Sequence, residues 1–302
     1  MLRFVSIMIA ALALAAAPVS AQQADGGPLN VVATFSILGD FAKNVGGDRV
    51  NVTTLVGPNS DTHVYTPTPS DAKKITDAKL VIINGLGLEG WLPRLIKSSG
   101  GKAVTVVATK NIAARKIEDG HSHDPSDADP HAWQSVPNAK IYIANIRDAL
   151  IAADPAGAEG YKANAAAYLS KLDTLDRDVR EMVAKIPPER RSVISTHDAF
   201  GYFAAAYGIK FIAPQGVSTE SEPSARDIAA IITQIRKQKI PAVFLENVSD
   251  PRLMRRIAAE TGANIGGTLY SDSLTGEKGP APTYIDMVRH NIKALTSALS
   301  QG

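Results

Sequence analysis

Imidazole nitrogens and carboxylate oxygens are the donors this chain can offer a transition metal, because none of its 302 residues is a cysteine. Thiolate sites and disulfides are thereby excluded. Six histidines are present, and three stand beside expected strand ends or stiff loops. His63 lies in Asp61-Thr62-His63-Val64-Tyr65-Thr66-Pro67-Thr68-Pro69-Ser70-Asp71, between a turn and a helix start. The two prolines fix their own φ and push the residues before them towards extended backbone, so this histidine sits on a short rigid segment. His131 follows an acidic stretch. His197 follows Val193-Ile194-Ser195-Thr196 directly, and Asp272 follows Leu269-Tyr270-Ser271. Three imidazoles and one carboxylate make a tetrahedral donor set for Zn²⁺.

Each residue taken singly has a plainer reading. His63 could be a loop cap, His131 could stack on Trp133, His197 could cap a helix with Asp198, and Asp272 could be only a turn residue. The joint pattern is what points to a metal. Of the other histidines, His290 falls inside the last expected helix as a structural residue. His121 and His123 lie in an acidic loop, as part of a solvated tract or as a weak metal-capturing arm.

The elements that must position these groups follow from periodicity. Strands are expected at 30–35, 49–56, 80–84 and 103–107, with helices at 36–45, 70–77 and 91–98 between them. Ser70 is the expected cap of the 70–77 helix. Residues 118–130 break the rhythm as a mobile loop, and a helix follows at 136–153. Asp154-Pro155 then opens a long helix, Asp as N-cap and Pro in its first turn. Its stripe of Tyr161, Ala165, Tyr168, Leu172, Leu175, Val179, Met182 and Ile186 alternates steps of four and three. Such a helix spans roughly 45 Å, which suits a rigid strut across two lobes; a coiled-coil dimer is the rival. The strand–helix rhythm restarts at 191–196 and runs through strands at 210–213, 242–245 and 264–269 to a closing helix at 283–299. Ser224-Ala225-Arg226-Asp227 resembles a capping box. Strands alternating with helices imply parallel sheets, hence an α/β chain of two similar lobes flanking one helix. Ligands bind beyond the carboxyl ends of such strands, so two candidates from each lobe would meet in the cleft.

An apolar fraction of 45% supports real cores, and a net charge of +2 with mixed signs leaves no footprint for nucleic acid. Met1-Leu2-Arg3, the apolar run to Ala17 and Val19-Ser20-Ala21 read as a cleaved secretory signal, 1–21. Lacking a lipid-carrying cysteine, the mature chain is expected free in a bacterial periplasm, as a monomer.

The sequence resembles the zinc/manganese family of ABC-transporter solute-binding proteins, cluster A-I. The resemblance spans the mature chain. It rests on Asp61-Thr62-His63 with Pro67-Thr68-Pro69-Ser70-Asp71, on Asp129-Pro130-His131-Ala132-Trp133, and on Thr196-His197-Asp198-Ala199-Phe200-Gly201-Tyr202-Phe203. Gln215-Gly216-Val217-Ser218-Thr219-Glu220 and Tyr270-Ser271-Asp272 complete it. It implies two (β/α)4 lobes, 22–153 and 189–302, joined by a rigid backbone helix, 154–188. It implies a metal held by His63, His131, His197 and Asp272, and delivery to an inner-membrane permease driven by a cytoplasmic ATPase.

Members of that family carry His or Glu at the position of His197, and imidazole suits Zn²⁺ where carboxylate suits Mn²⁺. Zinc is therefore the expected cargo, with manganese or a broad Mn/Zn/Fe range as alternative. Two features temper this: the acidic loop is short for a zinc member, and Asp272 could bind through both oxygens. Asp198 and Glu246 are the expected acceptors that orient the rings. A zinc hydrolase is the rival enzyme class, although the chain has no His-Glu-x-x-His run. An exported adhesion or interaction protein is the rival binding class.

Overall fold

Short aliphatic runs alternate with amphipathic segments along this chain, and that alternation builds its two sheets. The computed structural model describes residues 27–117 and 128–300. The expected leader and the loop histidines His121 and His123 lie outside the described residues. In the first half, β1 (Leu29–Phe35), α1 (Ser36–Gly46), β2 (Val50–Val56), α2 (Pro69–Asp77), β3 (Leu80–Ile83), α3 (Leu92–Ser98) and β4 (Val104–Val107) follow one another. They form a four-stranded sheet in the order β2-β1-β3-β4, every pairing parallel. After α4 (Val136–Ala153) and α5 (Ala158–Ala184) comes the second series: β5 (Ser192–Ile194), α6 (Gly201–Tyr207), β6 (Lys210–Ile212), α7 (Ala225–Gln238), β7 (Ala242–Glu246), α8 (Arg252–Thr261), β8 (Asn264–Leu269) and α9 (Tyr284–Ser300). Its sheet runs β6-β5-β7-β8, again all parallel. The α/β reading with two lobes and one long connecting helix is the architecture observed.

Helix α5 has 27 residues, roughly 40 Å of rise. Its apolar stripe is buried from Tyr161 to Val179 as the spacing predicts. One residue departs: Val183 is buried at the end of the stripe and Met182 only partly so, because a 3.6-residue turn drifts off a strict four-three alternation. The stripe packs on α1, α4 and α9 of the same chain, so its apolar face is covered without a second copy. Polar contacts tie it down as well: Tyr168 donates to Asp40 on α1 at 3.2 Å and Asn164 to the Val45 carbonyl at 3.1 Å.

Two caps differ from expectation. Helix α2 is closed by Asp71, whose Oδ2 accepts from the Thr68 backbone N–H at 2.8 Å and from its hydroxyl at 2.7 Å. A carboxylate at the third helical position reaches back to the residue before the helix, which Ser70, already inside it, cannot do. Asp154 does not cap α5 either. Its carboxylate takes Arg49 and the Tyr161 hydroxyl, and a short 3-10 turn, Pro155–Gly157, comes before the α-helix. The Ser224–Asp227 capping box forms as read.

Candidate metal centre

Four buried side chains converge between the lobes. His131, His197 and Asp272 are completely buried and His63 is 8% exposed. One ligand atom from each lies within 4.8 Å of the others.

The chain holds each one differently. The N–H of His63 donates to Asp61 Oδ1 at 2.8 Å, and Trp91 Nε1 donates to the neighbouring Thr62 carbonyl at 2.8 Å. His131 rests on Asp129, whose Oδ1 accepts from its backbone N–H at 3.0 Å and faces its Nδ1 at 2.9 Å. Behind it, Asn84 at the end of β3 donates to the Pro130 carbonyl at 2.9 Å, and the Tyr142 hydroxyl donates to Asn84 Oδ1 at 2.6 Å. The ring also lies edge-on to Trp133, centroids 5.2 Å apart, rather than stacked on it as the sequence allowed. His197 leaves β5 into Glu246 at the end of β7. Glu246 Oε1 accepts from the N–H groups of Thr196 and His197 at 2.8 and 3.1 Å, and Oε2 faces His197 Nδ1 at 2.5 Å.

Asp272 follows β8 in the second series, where Asn291 pairs with the Tyr270 backbone and Asn247 donates to the Ser273 carbonyl, and it is braced by the first series as well. Trp133 Nε1 and Gln134 Nε2 both donate to the Ser271 carbonyl, at 2.8 and 2.6 Å. On its other side the Leu274 N–H donates to Ser36 Oγ at 2.9 Å, and the Asn59 N–H to the Leu274 carbonyl at 2.9 Å. As expected, two ligands come from each series, His63 and His131 from the first and His197 and Asp272 from the second, and the first series reaches across to brace the Asp272 segment.

With Nδ1 of His131 and of His197 turned to a carboxylate, their Nε2 atoms point inward. His63 Nε2 lies 3.2 Å from His131 Nε2 and 3.4 Å from Asp272 Oδ2. His197 Nε2 is 3.1 Å from Asp272 Oδ2, and His131 Nε2 is 3.6 Å from Asp272 Oδ1. Metal–nitrogen bonds of about 2.0–2.1 Å place tetrahedral ligand atoms roughly 3.4 Å apart. His197 Nε2 and both Asp272 oxygens are buried without an aligned hydrogen-bond partner among the described residues. Buried polar atoms are normally satisfied, so this orphaned set suits a cation.

The charges answer one another. Burial works against a proton on His131, but Asp272 and Asp129 outweigh it and raise its pKa to about 9. His197 is likewise opposed by burial and driven well above its ordinary value by Glu246 and Asp272. Burial would raise Asp272, yet His197 and His131 hold it well below the usual carboxylate range.

Sequence reasoning placed all four residues here and named Glu246 correctly. It missed Asp129 and chose Asp198, for which the structure records no bond to a ring; the Asp198 N–H donates to the Gly216 carbonyl at 3.2 Å. The signal was available, because Asp129-Pro130-His131 repeats the spacing of Asp61-Thr62-His63, and both aspartates accept the N–H of the histidine two residues on. His290 lies apart, its Nε2 3.1 Å from the Thr268 carbonyl.

A family profile described as ZnuA, zinc-uptake complex component A periplasmic, matches residues 31–298. The chain belongs to this family. It is 39% identical to the iron-binding protein YfeA of Yersinia pestis, over 90% of this chain and 86% of that one. It is 36% identical to the manganese-binding lipoprotein MntA of Halalkalibacterium halodurans, over 98% of both. Among solved structures, the periplasmic zinc binding protein TroA of Treponema pallidum matches with a TM-score of 0.85 at 32% identity, covering 91% of this chain and all of that one. A Mn-bound periplasmic metal binding protein from Candidatus Liberibacter asiaticus matches with a TM-score of 0.80 at 35% identity, covering 89% of this chain and 98% of that one. The ZnuA family consists of extracytoplasmic binding components of metal transport systems, not enzymes.

Proposed function

We propose that the chain captures one divalent transition-metal ion at His63, His131, His197 and Asp272 and delivers it to the permease of an ABC importer powered by a cytoplasmic ATPase. The convergence of three inward Nε2 atoms on an unpartnered, buried carboxylate carries this reading. The fourth protein donor argues against a hydrolase, since catalytic zinc keeps a position open for water. We keep the leader at 1–21 as part of this proposal, and the lobes at 22–153 and 189–302 with a joining helix at 154–188 are supported by each sheet lying wholly on one side of α5 in the chain.

For the cargo, we take manganese first. Both oxygens of Asp272 face imidazoles, Oδ2 towards His63 and His197 and Oδ1 towards His131. A carboxylate engaged through both raises the coordination number, as harder ions prefer. The relatives at 39% and 36% identity are named for iron and manganese. Zinc, expected from the sequence, is the second reading: three imidazoles suit it, its intrinsic affinity exceeds that of manganese at nitrogen sites, and TroA is named for it. The test equilibrates metal-free protein with Zn²⁺ and excess Mn²⁺ and counts bound ions by elemental analysis. One ion per chain is expected; none overturns the proposal. Manganese-dependent growth of a strain carrying only this binding protein then separates cargo from tightest ligand.

A further inference from the structure

The Gln215–Glu220 motif carries none of the four ligands, yet it stands where an ion must pass. Of those ligands only His63 has any exposed surface, at 8%, so it is the face through which the site is reached. Two cavities meet there. One, of about 240 Å³, is lined by Leu88, Ile117, Pro130 and Val217 besides His63. The other, of about 1020 Å³, is lined by Tyr65, Trp91 and Arg94 on its far side. They share three residues, His63, Gly90 and Glu220. Glu220 thus lines both cavities together with His63, and among the described residues it is the one acid lining either cavity.

The loop that presents it is fixed. Gln215 Nε2 donates to the carbonyls of Thr219 and Ser221, at 3.1 and 3.0 Å, clamping the backbone on both sides of Glu220. The Thr219 hydroxyl donates to Asp61 Oδ2 at 2.7 Å, and the other oxygen of Asp61 holds the N–H of His63. Two hydrogen bonds therefore join the residue before Glu220 to His63, the ligand with which Glu220 shares both cavities. At the loop's other end, Gln215 bridges His197.

Granted the metal site proposed above, we infer that Glu220 is a transient ligand: it takes the incoming divalent cation first and passes it to His63 without joining the final set. Negative charge at the mouth of a narrow cleft concentrates cations and speeds capture. A group that acts only on the path changes association and dissociation together and leaves the equilibrium alone.

Stopped-flow tryptophan fluorescence reads this, since Trp133 touches the ring of His131. Zn²⁺ and Mn²⁺ are mixed separately with metal-free wild type, Glu220→Gln and Glu222→Gln. Glu222 is an exposed acid on the same loop that lines a different cavity. Glu220→Gln is expected to slow association by about threefold to tenfold and to weaken its salt dependence, with release slowed in proportion. Glu222→Gln should match wild type. Unchanged association in Glu220→Gln overturns the inference, as does equal slowing in both variants. Faster release at unchanged association also overturns it, placing Glu220 among the final ligands. Equilibrium binding by the wild type judges the metal site separately, so failure of one reading is not mistaken for failure of the other.

Discussion

Only neutral imidazole binds a metal, and His131 and His197 hold protons tightly when no ion is present. Their raised pKa values mean that the ion must displace up to two protons near neutral pH. Affinity should therefore strengthen as pH rises from about 6 towards 9, and weaken as protons compete below that. Titration calorimetry in buffers of different ionisation enthalpy should show between one and two protons released per ion at pH 7.5; zero would mean the rings are already neutral. Replacing Glu246 by Gln or Asp129 by Asn should weaken binding about 10- to 100-fold, the usual cost of losing an orienting carboxylate. Replacing His197 by Ala should cost more than either, and equilibrium competition with a chromophoric chelator would rank the three. At this scale the sequence was most legible for residues that end strands. Glu246 closes β7 and could be named from that alone. Asp129 closes nothing, and its role was carried by the Asp-x-His spacing it shares with Asp61 rather than by any pattern of apolar residues.

Helix α2 depends on Asp71, which is almost fully buried and serves Thr68, the Tyr65 hydroxyl at 2.8 Å and Lys74 at 2.8 Å. Burial would raise this carboxyl, but Lys74 and Thr68 prevail and lower its pKa to about 2. Its folded value lies below the ordinary 3.8. The stability it adds is thus complete above that ordinary value and is lost as pH falls towards 2. Asp71→Ala should cost about 1–3 kcal/mol, visible as a lower melting temperature at pH 7. The deficit relative to wild type should shrink on acidification; a constant deficit down to pH 2 would deny the carboxylate its role. The capping box of α7 and the bounds of α4 were readable because their signals are local: Ser224 with Asp227, and Ser135 before Val136-Pro137. The caps of α2 and α5 were misassigned for different reasons: at α2 the helix begins one residue earlier, so that Asp71 reaches back to Thr68, and at α5 a 3-10 turn intervenes while the Asp154 carboxylate is taken elsewhere. Arg49, far upstream, claims Asp154.

Across the whole molecule, α5 touches helices of both series at once. A strut packed on α1, α4 and α9 resists a wide hinge, so small-angle scattering with and without Mn²⁺ should give nearly superposable profiles. A marked compaction on loading would show that the strut bends. Two lobes and a connecting helix were evident from rhythm alone. The stitching of Ser271 and Leu274 onto Trp133, Gln134, Ser36 and Asn59 was not, since those partners lie more than a hundred positions away and leave no periodic trace.

That stitching also sets when the site comes into being. Its ligands run from position 63 to position 272, and the segment of the last is braced by residues of the first half, Trp133, Gln134, Ser36 and Asn59. Contacts so distant in sequence form only after the intervening chain has been drawn together. A growing polypeptide therefore has no metal trap until nearly all of it has emerged and collapsed.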